Sequence, residues 1–73
     1  MHVIKIVHTD IDKETEYVKT IEPDKNWGYS SVEYTHYGDE ALMFSSAPIA
    51  NATVGALIAM GHTKLVDAEV VKI

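Results

Sequence analysis

The chain contains no cysteine, which removes disulfides as a source of stability and excludes thiolate nucleophiles and Cys-ligated metal sites. Arginine is absent as well: all six basic residues are lysine, set against eleven acidic residues for a net charge of -5. Nucleic-acid binders draw most of their affinity from clustered cations on phosphate, and Arg is the preferred fork for guanine. A free-standing DNA or RNA reader is therefore disfavoured, whereas a basic protein partner is compatible with the charge. Nothing at the start reads as a signal peptide, because Met1 leads into a short apolar run broken by Lys5 and followed by His8, Thr9 and Asp10. The expected compartment is the cytoplasm.

Of what is present, 47% is hydrophobic. With 73 residues the chain is read as one domain, 1–73, near the lower end of what folds alone. A domain of this size hides only about 60% of its unfolded surface. Partner contacts would add to its stability. Ala41 to Thr63 carries no formal charge and is long enough to raise the question of a membrane span. Ser45, Ser46, Pro48, Asn51 and Thr53 within it, and the many Ala and Gly among the rest, argue against one.

His2 to Val7 is β-branched and apolar on both sides, as a central strand would be. Ile11 to Ile21 carries Ile11, Val18 and Ile21 among Glu14, Glu16 and Lys19, a spacing that predicts an amphipathic helix capped by Thr9 or Asp10 and stopped by Pro23. "DKNWGYS" supplies a loop. "SVEYTHYGDEALMFS" alternates around Gly38-Asp39, which predicts a hairpin.

Near Pro48 a second helix begins, with Ser45 or Ser46 as its cap. Two continuations are open. The helix either breaks at Gly61-His62, leaving 64–73 as a fourth strand in a ferredoxin-like order, or runs almost to the end. Val54, Leu57, Ile58, Gly61, Leu65 and Ala68 form one continuous stripe at 100° per residue, and Gly61 alone costs only about 1 kcal/mol relative to Ala. The long helix is preferred on that ground. The expected fold is α+β, a three-stranded antiparallel sheet with two helices on one face in the order β-α-β-β-α.

On such a helix Ala52, Gly55, Ala59, Val66, Val70 and Ile73 fall nearly opposite the sheet-facing stripe. Small side chains at Ala52, Gly55 and Ala59 allow another backbone to approach closely. With His62, the positions Ala52, Gly55, Ala59, Val66 and Val70 make up the expected interface, met by a protein partner that is either a second copy or a paralogue.

No catalytic constellation competes with that reading. His2, His8 and His36 could share one region of the sheet, but no HxH or HExxH spacing occurs and no metal site is expected. The acidic pairs Asp10 with Asp12, Glu14 with Glu16 and Asp39 with Glu40 fall in helix-start or turn contexts, where solvated roles are expected. The serines lack a nucleophile elbow, and Gly55 with Gly61 lacks the spacing and the cation of a phosphate loop. No cofactor is called for and the chain is read as a non-enzyme. An alternative class is a small-ligand binder or minimal enzyme with Trp27, Tyr34, His36 and Tyr37 lining a pocket on the open sheet.

The order strand, helix, strand, strand, long helix, with "YVKTIEPDKN" closing the first helix, resembles the small dimerisation subunit family of the KEOPS complex. The likeness spans most of the chain, and Ile21 to Lys25 is the segment that matches the family's helix end. The family's last helix packs in dimers and carries an Arg and an Asn-Ser pair where this chain reads "TVGALIAMG". The resemblance implies a noncatalytic scaffold or dimerising subunit, in the manner of a divergent paralogue without direct RNA contact. The complex it would serve makes threonylcarbamoyladenosine on tRNA, with the ATP- and metal-dependent chemistry on other subunits.

Overall fold

The computed structural model describes residues 1–8, 14–23 and 30–73. Four strands, β1 (His2–Ile6), β2 (Glu16–Pro23), β3 (Ser30–Thr35) and β4 (Ala68–Lys72), and one α-helix, α1 (Ala47–Ala59), follow in the order β-β-β-α-β. The strands form a single sheet in the order β3-β2-β1-β4, with every neighbouring pair antiparallel. The α+β class stands, but the sheet has four strands rather than three. Among the described residues it carries one α-helix rather than two.

β1 is central, as its two-sided apolar sequence requires. Val3, Ile4 and Ile6 are all buried. Ile4 and Ile6 join Val18, Leu57 and Leu65 in the core between sheet and helix. Val3 projects to the opposite face by the alternation of the pleat.

The expected helix over Ile11–Ile21 is corrected by β2. Residues 16–23 are a strand, paired with β1 through Lys5–Tyr17 and Ile6–Glu16 and with β3 along its length; the expected caps Thr9 and Asp10, with Ile11, lie outside the described residues. A register irregularity between Val18 and Thr20 explains the misleading spacing. A bulge adds one residue to a strand, so Val18 and Ile21, three apart, both reach the same core. That offset imitates the i, i+3 pattern of a helix.

The expected hairpin also changes. β3 is its first arm, but Gly38–Glu40 forms a 3-10 turn and residues 41–44 do not return along β3. Instead Leu42 N–H donates to the Val18 carbonyl at 2.9 Å, and Phe44 exchanges two 2.8 Å hydrogen bonds with His2. The segment fills the wedge that opens where β2 leaves β1. Buried Thr35 secures the turn: its hydroxyl donates to Glu40 at 3.1 Å and accepts from the Tyr37 N–H at 3.1 Å.

α1 starts at the N-cap Ser46, whose hydroxyl accepts from the Ile49 N–H, with Pro48 in the first turn. It ends at Gly61 and does not continue through it. Gly61 adopts φ 101°, its N–H donates to the Ile58 carbonyl and the His62 N–H to the Leu57 carbonyl, both at 3.0 Å. These paired bonds are a Schellman cap. The long C-terminal helix is therefore corrected to the other continuation: a 3-10 turn over Thr63–Asp67 and then β4, which pairs with β1 in unbroken register from Lys72 opposite His2 to Ala68 opposite Ile6.

Candidate interface

α1 is thirteen residues long and contains no charged side chain. Its inner side sets Ala50, Val54, Leu57 and Ile58 on the molecule. Its outer side exposes Pro48, Ile49, Asn51, Ala52, Gly55, Ala56 and Ala59. Ile49 and the adjoining Met60 leave 56% and 47% of their surface in solvent. A Cβ built on Gly55 meets nothing within 4 Å, so this glycine leaves an open shallow place on the helix surface.

The six positions expected to share one helical face do not all share it. Ala52, Gly55 and Ala59 do, and all are exposed. His62 is half-buried at the helix end, and Val66, 63% exposed, projects from the Thr63–Asp67 turn. For Val70 the placement is corrected: it lies not on a helix but on β4 opposite Ile4, with its side chain packed against the core. The break at Gly61 separates the residues on either side of it, because the helical phase that aligned them ends there.

A polar cluster that sequence reading did not find sits where the same turn meets the sheet. The Lys64 ammonium pairs with the Glu16 carboxylate and lies 4.1 Å from the centre of the Tyr34 ring. His8 approaches Glu16, with Nε2 3.4 Å from a carboxylate oxygen. The hydrogen bond from Lys64 holds the Glu16 carboxyl below its usual range against the opposing effect of partial burial, and His8 adds a smaller pull in the same direction. Burial, and then the nearby Glu16 charge, raises the Tyr34 phenol. Glu16 and Lys64 are 48 positions apart, so no local spacing could have announced them. The cluster pins the Thr63–Asp67 turn to β2 and β3.

That arrangement also engages residues of the alternative ligand pocket. Tyr34 packs on the core beneath Lys64, and His36 Nδ1 lies 3.2 Å from the Thr15 carbonyl and 3.7 Å from Glu14. Tyr37 is exposed on the turn. Trp27, Gly28 and Tyr29, like Asp10, Asp12, Asp24 and Lys25, lie outside the described residues. Among the described residues no three His, Asp or Glu side chains converge on a possible metal position. No described helix is long and apolar enough to cross a membrane. Comparison of the chain with protein-family models, with curated proteins and with solved structures gives no match.

Proposed function

We propose that this protein is a noncatalytic interaction subunit of the cytoplasm that associates through the outer side of α1, with a second copy of itself or with a paralogous chain. One observation carries the reading: a helix without a charge, whose solvent side is Pro48, Ile49, Ala52, Gly55, Ala56 and Ala59 with Asn51 as its one exposed polar side chain. Soluble helices ordinarily place polar and charged residues on the face turned to water. Covering about 500 Å² of such apolar surface is worth on the order of 12 kcal/mol before the costs of association. The absence of cysteine suits a reducing compartment.

Service in a KEOPS-like tRNA-modifying assembly is the narrower form of this proposal. The element order behind it is replaced by β-β-β-α-β, and Ile21–Pro23 belongs to β2 rather than to a helix end. Its support is now the small-residue outer face of α1, and identification of co-purifying chains decides it.

Sedimentation of the purified chain tests the general reading. Gly55→Leu has open space around its new side chain and removes a helix-interior glycine that costs roughly 0.5–1 kcal/mol. Association is expected to weaken at least about tenfold, that is by about 1.4 kcal/mol, with the melting temperature of the monomer equal or higher. A wild-type monomer throughout the micromolar range, or a variant that stays associated with a lower melting temperature, rejects the helix face.

A further inference from the structure

We propose that the outer edge of β4 is a docking edge for β4 of a second copy, so that two sheets join edge to edge across a two-fold axis. The inference deepens the association reading but does not depend on the helix face. It begins from the phase of the main-chain ladder. His2 directs its N–H and C=O to Phe44, on the side of β1 away from β4. Successive residues of an antiparallel strand address opposite sides, so Val3 and Lys5 face β4, where Val71 and Glu69 meet them. Val70 and Lys72 must then point their N–H and C=O groups off the sheet.

β4 is terminal in the sheet order, and no main-chain hydrogen bond among the described residues reaches these outward groups. Ala68 N–H is taken by the Leu65 carbonyl, which leaves the Ala68 carbonyl outward as well. Proteins usually guard such an edge with a proline, a bulge, a covering element or charged side chains, and here Glu69 and Lys72 supply charges of both signs. β4 has no proline and no register shift over its five pairs. The opposite edge, β3, is irregular against β2, so β4 is the straighter template.

The occupant is a second copy because the edge complements itself. A two-fold axis at Val70 places Val70 beside Val70 of the second copy, Lys72 beside its Ala68 and Glu69 beside its Val71, so no like charges oppose each other. β4 holds one charge of each sign, and two chains of net charge -5 can meet there without local repulsion. The strand is flanked by exposed Val66 and Ile73, at 63% and 60%. α1 packs on β1 and β4, so an axis normal to the sheet brings two uncharged helices to the same face. A standard interface takes about 800 Å² per partner, about a sixth of the 4913 Å² surface.

Amide hydrogen exchange on the full chain, at about 20 μM and about 1 mM, reads the edge directly. Val70 and Lys72 amides are expected to gain several-fold protection at the higher concentration, up to about sevenfold, the square root of the concentration step that mass action allows a dimer. Lys72→Pro deletes an outward N–H at an exposed position without touching the β1 ladder or the core, and is expected to weaken the dimer at least about tenfold with the sheet retained by circular dichroism. Should that variant fail to fold, the wild-type amides decide alone. A dimer whose Val70 and Lys72 amides exchange freely overturns the edge and leaves the helix face standing. Protected amides in a dimer indifferent to Gly55→Leu do the reverse, and a monomer at both concentrations removes both.

Discussion

Gly61 holds φ 101° with nothing within 4 Å of a Cβ built on it. Its importance is thus conformational rather than steric. Gly61→Ala is expected to destabilise the chain by about 1–2 kcal/mol, the left-handed penalty for a residue with a Cβ, with Gly61→Asn costing less. Urea unfolding of the three proteins measures it. Equal stability of Ala and Gly would mean that the chain passes this point in another conformation. Glu16 gives a pH signature of definite sign. Its folded value lies below the usual 4.5, so its stabilisation is complete above that pH and is lost as pH falls through the folded value. The melting-temperature gap between wild type and Glu16→Gln should be widest near neutrality and narrow once pH drops below 4.5. A gap independent of pH would leave the Lys64 pairing without a role in stability.

At the scale of elements, α1 depends on its ends. Ser46 accepts the Ile49 N–H at 3.5 Å, a long contact that belongs at the weak end of the capping range. Ser46→Ala should therefore cost about 0.5–1 kcal/mol, read by thermal unfolding. A loss well above that would show the hydroxyl working in more than the cap. The start of α1 was legible because Ser46 and Pro48 are local signals that need no tertiary partner. Its end was marked too, by Gly61, but a price of about 1 kcal/mol for glycine in a helix undervalued a cap that satisfies two carbonyls at once. For β2, Tyr17, Val18, Thr20 and Ile21 are good strand formers. The bulge beside Lys19 hid their alternation behind a helical spacing.

At the scale of the molecule, β1 is held on one side by the strand that follows it, β2, and on the other by β4, which joins residues 68–72 to residues 2–6. Deleting 68–73 should abolish cooperative thermal unfolding, because it opens a long edge of β1 and uncovers Ile4 and Ile6. A truncated chain that still melts cooperatively would place the stability elsewhere. If the chain self-associates, its melting temperature should also rise with concentration, since a partner that binds only the folded form stabilises by mass action.

Some of this protein follows from composition and local pattern. The central strand, the helix start at Ser46, the uncharged character of α1 and the absence of thiol chemistry are properties of residues and their near neighbours. Pairing belongs to the tertiary structure. That residues 41–44 wedge against β1 and β2, that Lys64 meets Glu16, and that Val70 turns inward while Ala52, Gly55 and Ala59 stay outside were settled by which distant surfaces could be buried together. An isolated strand has no stable conformation of its own and acquires one only when a neighbour accepts its hydrogen bonds and covers its apolar side.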